Sequence, residues 1–502
     1  MEHSASRIGA MKESPGSKDR WPPRRVIGEG VCVLLITLVG GWIRFHGLGQ
    51  GSLWYDEAAS VLQARLPVRQ LLPAVARNVH PPLYYLLLHG ALTVGDSEAA
   101  LRWPSALFGT LSLPLLYWLG RAWFSGSVGL VAALPLALSP VHLWHSQDAK
   151  MYTLLTWEGL LAWALFGQLL QRPRRALWVG YAFIAGAILY THYFGVLLLL
   201  PQTALVGLLR YRKEVAPAFW ARWLGVQVGL ALLFFPWLAY AGQSIEFGRL
   251  SWIAENERPD PLWLTKTIAS FSAGSKEQDW LLGLPIVALA VVALVRDEHG
   301  RWRSPRAALR QRSILLCVGY FAVPIAIMFA ASLVRPFLLP RFMLMTAPPF
   351  FLLAGVGLRR LLHGRLAIAA AAVLVLLALP GLQFASSTPR TRDYRGLARL
   401  IAANAEVGDL VLFYPLYSGE PFEYYVRGRD VRFKWCSQLQ EGYSLEVVQQ
   451  CLSEAQRVWV AFTRLPKRGR KTSFLIPLSE QFRPIRTYAL PWVRIVLFER
   501  AR

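Results

Sequence analysis

The sequence predicts an α-helical polytopic membrane protein with about 11 transmembrane helices, interfacial helices in its first outer loop, and a small C-terminal α/β soluble domain. Three observations predict it. Of 502 residues, 54% are apolar and 17% charged, and a mean hydropathy of +0.35 suits a chain solvated by lipid. Apolar stretches near the length of about 20 residues that a spanning helix needs recur along the chain. Lys and Arg outnumber Asp and Glu 54 to 30, for a net charge of +24, and these charges are unevenly placed. Disorder, collagen and a disulfide scaffold are excluded by the same composition.

Eleven stretches read as spans: 26–43, 102–120, 127–144, 153–170, 176–191, 194–209, 222–241, 280–295, 313–334, 342–358 and 366–384. Pro114, Pro135, Pro236 and Pro324 interrupt several, which a buried bundle tolerates because neighbouring helices re-satisfy the freed backbone groups. Connectors then alternate in charge. Arg24 and Arg25, Arg121, Arg172/Arg174/Arg175, Arg210/Arg212/Lys213, the run from Arg301 to Arg312 and Arg359/Arg360/Arg365 fall on one side, which the positive-inside rule makes cytoplasmic. The opposite loops carry Asp56, Glu57, Asp96, Glu98, Asp148, Glu246, Glu255, Glu257, Asp260, Glu277 and Asp279. An N-terminus in the cytoplasm and an odd number of spans place the C-terminal segment outside a plasma (inner) membrane. Residues 1–25 are polar and Pro-rich, with no cleavable signal peptide evident. The positive charge becomes an orientation signal, and no nucleic-acid partner is expected.

The domain plan is therefore a cytoplasmic tail (1–25), a transmembrane module (26–384) with long outer loops at 44–101 and 242–279, and an outer α/β domain (385–502). In that domain Asp393–Asn404 and Leu445–Ala455 read as helices, and Asp409–Tyr414, Val458–Thr463 and Arg494–Glu499 as strands. Cys32 and Cys317 fall in spans, while Cys436 and Cys451 lie in the outer domain, where a disulfide between them is an open option. Long loops in a compact assembly are usually functional.

The first outer loop carries the chemistry. After the Gly-rich stretch 47–51, a helical pattern starts at Asp56, with Ala58, Val61, Leu62 and Leu66 on one face and Gln63 and Arg65 on another, which suits a helix in the membrane interface. Another starts at His80-Pro-Pro, Pro being favoured in a first turn. Read blandly, Asp56 is an N-cap, Glu57 a first-turn acid and His80 a loop histidine. An acidic pair preceded by aromatics at the lipid boundary also suits a reaction on a substrate with a lipid tail.

The runs Leu53-Trp-Tyr-Asp-Glu-Ala-Ala-Ser60, His80-Pro-Pro-Leu-Tyr-Tyr85, Arg102-Trp-Pro-Ser-Ala-Leu-Phe-Gly109 and Ser146-Gln-Asp-Ala-Lys-Met-Tyr152 occur in that order. Together they resemble the bacterial membrane glycosyltransferases related to protein O-mannosyltransferases and lipid A aminoarabinose transferases, of the GT-C class. The resemblance covers about the first 380 residues; each motif alone is weak, and their order makes the set specific. It implies a polyprenyl-phosphate-linked sugar as donor, Asp56 as catalytic base with Glu57 as the neighbouring acid, and His80 and Arg102 close to the active site. Lys150 stands where the family's Gln-x-Ala-Arg-x-Tyr form has Arg, two residues before Tyr152; the charge is kept and bidentate phosphate geometry lost.

Inverting attack of an acceptor hydroxyl on the anomeric carbon requires a carboxylate to take the proton and positive charge on the departing phosphate. Candidates for the charge are Arg102, Lys150, Arg335 and Arg341; each has snorkelling at a helix end as its plain alternative. His192 and Tyr193 lie in a short outer turn, as sugar-site residues or as an aromatic belt, and Glu158 lies inside a span. No spacing defines a cofactor. A divalent metal held by Asp56 or His80 with Glu246, Glu255, Glu257 or Asp260 stays open. The competing reading is a transporter or flippase of a lipid-linked or small solute, which should show internal repeats and broken helices meeting at midplane, neither of which the sequence displays, and has no need of an outer acidic pair; an envelope scaffold is a third. The partners expected are the donor, membrane lipid and an acceptor that is protein, lipid or glycan. Sugar and acceptor identity depend on pocket shape and are not written in these motifs.

Overall fold

A computed structural model describes residues 23–501, except 79, 244–260, 274–278, 335–338, 388–391, 416–417, 428–432, 436–444 and 464–474. Each of the eleven apolar stretches coincides with helix. Among the described residues, six helices are long and apolar enough to cross a membrane, seven if one bent pair counts as a single span. The rest of the eleven stretches form shorter or less apolar helices, so the count of eleven spans is not confirmed by this measure.

Helix α1 (Pro23–Phe45) leads into the long first connector, where α2 (Tyr55–Ala64), α3 (Val68–Ala76) and α4 (Leu83–Ala91) precede the long α5 (Glu98–Trp123). Of the apolar face of α2 expected to meet lipid, Ala58 and Val61 are fully buried in the protein core, while Leu62 and Leu66 are half-buried. The buried part of the face packs against α4 and a helix of the C-terminal unit. The stretch 127–144 is also no single rod. Helix α6 (Gly126–Leu138) and α7 (Pro140–Ser146) meet at 64°, since Pro140 cannot donate to the ladder of the turn before it.

That break leaves terminal carbonyls of α6 without helical partners. Arg44, at the end of α1 and fully buried, supplies them: its Nη1 donates to Ala137 at 3.0 Å and its Nη2 to Leu136 at 3.1 Å and to His142 Nδ1 at 2.9 Å. In return Gln147 Nε2 sits 2.9 Å from the carbonyl oxygens of Ile43, Arg44 and His46, capping α1. Gly109 lets α5 pass close enough for this arrangement, because a Cβ there would meet Ser146 Oγ at 2.3 Å. Mutual capping thus fixes the segment 147–151 beneath α2 before α8 (Tyr152–Gln171) begins.

The C-terminal unit is a five-stranded sheet of order β2-β1-β3-β5-β4: β1 (Leu410–Tyr414), β2 (Lys434–Trp435), β3 (Arg457–Phe462), β4 (Phe482–Leu490) and β5 (Val493–Arg500). β1 pairs parallel with β2 and β3, and β5 antiparallel with β3 and β4. Alternate residues of β1 and β3 enter two cores. Val411, Phe413, Trp459 and Ala461 join Leu397, Ile401 and Phe422 on one face, and Leu410, Leu412, Val458 and Val460 join Leu452 and Leu478 on the other. The helices expected at Asp393–Asn404 and Leu445–Ala455 form as Tyr394–Asn404, with Asp393 accepting from the Gly396 N–H at 2.8 Å, and Leu445–Ser453. Cys451 is disulfide-bonded, while Cys32 and Cys317 are free; Cys436 lies outside the described residues.

Candidate active site

Helix α2 starts one residue earlier than the sequence suggests, with Trp54 extended before it (φ −95°, ψ 176°). Asp56 therefore lies inside the first turn instead of capping it. Glu57 takes the local capping duty, accepting the Trp54 N–H at 3.2 Å. The roughly 100° between consecutive helical residues turns the two acids apart.

Glu57 points into the protein and is 1% exposed. Arg102 of α5 grips it in bidentate fashion, Nε to Oε1 at 2.6 Å and Nη2 to Oε2 at 2.7 Å, and the Ala149 N–H adds a bond at 2.9 Å. Burial pushes the Glu57 carboxyl up from its ordinary value, against the pull of the Arg102 charge and hydrogen bonds. The remaining Arg102 donors go to the carbonyls of Leu48 and Gly51, both at 2.9 Å, and Ser52 at 3.0 Å. A guanidinium has five N–H groups, and all five are used inside the protein. Arg102, expected to face a phosphate, has none to spare.

Asp56 points the other way. Its carboxylate pairs with Arg341 at 3.4 Å, and the two side chains are 20% and 19% exposed. Arg341 opens the 3₁₀ segment Pro340–Thr346 and lies over the rings of Trp54 and Phe342, 6.0 and 5.5 Å from their centroids. One turn after Asp56, Ser60 donates back to the Asp56 carbonyl at 2.8 Å and accepts Lys150 Nζ at 2.8 Å. Burial pulls the Lys150 ammonium below its ordinary value, although Asp56 and Asp148 work against that shift. Asp56, Lys150 and Arg341 thus form one charged cluster.

The motif 146–152 is absorbed almost residue by residue. Asp148 accepts Trp54 Nε1 at 2.9 Å and pairs with His145 Nδ1 at 3.3 Å. Burial acts to raise its carboxyl, but hydrogen bonds and charge from His145, the Trp54 bond and Lys150 bring it below the ordinary value. Tyr152 packs edge-on to His145 at 4.7 Å, and its ring lies 6.2 Å from His192 and 6.3 Å from Phe342.

His80 and His192 sit with ring centroids 4.9 Å apart, both buried. His192 Nδ1 accepts the Phe194 N–H at 3.0 Å, so in the neutral ring Nε2 carries the proton. Neither His192 Nε2 nor His80 Nδ1 has a hydrogen-bond partner among the described residues. Burial, with Lys150 and Arg341 adding like charge, lowers His192 to about 3. Burial, His192 and the same two cations lower His80 well below its ordinary value. The sequence singled out both histidines separately; the fold brings their rings into tilted contact near the cations.

Other candidates fall elsewhere. Glu158 Oε1 accepts from Thr191 at 3.0 Å inside the bundle. Arg335, Glu246, Glu255, Glu257 and Asp260 lie outside the described residues, and among the described residues no three His, Cys, Asp or Glu side chains group as a metal site. Sequence reasoning passed over His145, and quoted Trp54, Ser60 and Asp148 within their motifs without giving any of them a role at the site. The spacing of Trp54 and Asp148 to Asp56 and Lys150 was visible, but not their contact.

Residues 79–240, which hold His80, Arg102, Lys150, Tyr152 and His192 but not Asp56 or Arg341, match the family model described as dolichyl-phosphate-mannose-protein mannosyltransferase. The chain superposes on the crystal structure of ArnT from Cupriavidus metallidurans in the apo state with a TM-score of 0.62, at 15% identity over 94% of this chain and 98% of that one. Its fold is a GT-C fold. The same ArnT bound to undecaprenyl phosphate gives 0.61 at 16% identity over 94% and 98%. Archaeal oligosaccharyltransferase AglB from Archaeoglobus fulgidus, in complex with an inhibitory peptide and a dolichol-phosphate, gives 0.50 at 12% identity, over 88% of this chain and 70% of that one. No curated protein matches in sequence. In this fold the Asp56 cluster lies in the loop between the first helix and α5, against which the C-terminal sheet unit packs.

Proposed function

We propose that this protein transfers a sugar from a polyprenyl-phosphate carrier to an acceptor hydroxyl at the outer face of the plasma membrane, with inversion and with Asp56 as general base. The observation that carries the reading is the contrast between two adjacent acids. Glu57 is sealed against Arg102, while Asp56 stays partly open between Lys150 and Arg341. The mannosyltransferase match and the ArnT complex with undecaprenyl phosphate support a lipid-phosphate donor.

In this mechanism the acceptor O–H gives its proton to the Asp56 carboxylate as its oxygen attacks the anomeric carbon. The bond from that carbon to the phosphate oxygen breaks, and polyprenyl phosphate departs with the electron pair. Lys150 and Arg341 stabilise the charge that develops on it. Arg341 rests on Asp56; a donor phosphate draws the guanidinium away and frees the base. His80 and His192, neutral and each with one ring nitrogen unclaimed, offer hydrogen bonds to sugar hydroxyls. Glu57 and Arg102 position α2. The outer location is supported by the basic loops at the opposite end of the helices and by the Cys451 disulfide, which suits an oxidising compartment.

The test is a proteoliposome assay with radiolabelled polyprenyl-phosphate sugar and an envelope extract as acceptor. Acceptor-dependent release of polyprenyl phosphate is expected. Translocation of intact donor without release would favour the flippase reading instead.

A further inference from the structure

The segment 48–53, which feeds Asp56 into α2, is gripped from two sides. From the bundle, Arg102 holds the carbonyls of Leu48, Gly51 and Ser52. From the C-terminal unit, Tyr425 on the helix Gly419–Val426 accepts the Leu53 N–H at 2.8 Å and donates to Glu98 Oε1 at 2.7 Å. Arg395 donates from Nε to the same Glu98 oxygen at 3.0 Å, and from Nη2 to the Gly49 carbonyl at 3.0 Å. Its backbone N–H reaches Ser52 Oγ at 3.1 Å, and that hydroxyl reaches Asp393 at 3.3 Å. Glu98 lies one turn before Arg102 on α5, so a single helix face anchors both grips.

We infer that Tyr425 and Arg395 are positioning residues for the transfer reaction: the C-terminal sheet unit sets the placement of Asp56 through Leu53. This rests on the reading of Asp56 as base. The bond to Leu53 lies three residues before Asp56, and it is made by a hydroxyl whose bonds go to Leu53 and Glu98, outside the cluster of Asp56, Lys150 and Arg341. Removing the Tyr425 hydroxyl leaves the Leu53 N–H buried without its partner and unhooks Glu98 from one donor. A misplaced base slows the chemical step, by up to about 100-fold for a shift near 1 Å, while leaving the cations that would hold the donor phosphate in place.

The test compares Tyr425→Phe with wild type in the full-length reconstituted protein, with turnover normalised to folded protein. The expected result is kcat lowered at least about 10-fold, with donor KM within about twofold, and faster amide deuterium exchange in the peptide spanning residues 48–56. A purely stabilising role would lower the melting temperature and leave kcat and that exchange unchanged, which overturns the inference. Asp56→Asn is run alongside. If it stays active, the base assignment itself fails; if it is inactive and Tyr425→Phe turns over normally, the positioning role fails alone. Should Tyr425→Phe not fold, Glu98→Gln takes its place, since it keeps the acceptor oxygen and weakens the grip of Arg395. A lowered kcat at unchanged KM supports the inference there, and an unchanged kcat overturns it.

Discussion

Glu57 and Arg102 are joined by two charge-assisted hydrogen bonds of 2.6 and 2.7 Å with side-chain exposures of 1% and 6%, and the next acid along the chain, Asp56, faces Arg341 on the other side of the helix. Two adjacent carboxylates thereby acquire different tasks. Breaking a buried pair by removing one partner typically costs about 3 to 5 kcal/mol, because the other charge is left uncompensated.

Arg102→Ala and Glu57→Ala should therefore show their main effect in stability. Thermal melts in detergent are expected to show a large loss of folded protein, and whatever folds should bind polyprenyl phosphate with near-normal affinity. A melt like that of wild type with donor affinity lost would return Arg102 to the phosphate site.

Lys150 and Arg341 should behave in the opposite way. A hydrogen bond to a charged group contributes about 1.5 to 3 kcal/mol, so Lys150→Ala and Arg341→Ala are each expected to weaken equilibrium binding of polyprenyl phosphate by roughly 10- to 100-fold with little change in melting temperature. Affinity unchanged in both variants would remove the phosphate from this cluster.

The buried, paired histidines predict a pH dependence. In the unfolded chain His192 takes up a proton near 6.5; in the folded protein burial holds it neutral until about 3. Between those values the unfolded state binds the extra proton, so stability is fully present above pH 6.5 and is lost as pH falls toward 3, by up to about 1.4 kcal/mol per pH unit. His192→Gln should have a melting temperature that falls less steeply than wild type between pH 6.5 and about 4. Parallel curves would mean that the imidazole is protonated in the folded protein.

Much of this was written in local pattern. Asp56 announced itself by aromatics before it and a helical apolar face after it, and β1 and β3 by short buried apolar runs. What escaped depends on residues far apart in the chain. Arg102 reads from sequence as a free cation at a helix start, and only the fold brings Glu57 to it from 45 positions away. The apolar face of α2 looks the same whether lipid or protein covers it. Strand β4 was missed because its edge position leaves Arg483 to Thr487 exposed on both faces, which erases the alternation that marks a half-buried strand. The break at Ser139 was partly visible in Pro140, but a span with internal prolines can remain straight enough to cross, and what decides is Arg44 waiting to cap the freed carbonyls.

The central claim is that Asp56 takes the acceptor proton and does not hold the donor. Donor affinity and turnover of Asp56→Asn, measured side by side in the reconstituted protein, test it most directly. The account predicts polyprenyl-phosphate-sugar binding close to wild type and transfer reduced by about 100-fold or more; transfer at the wild-type rate would contradict it.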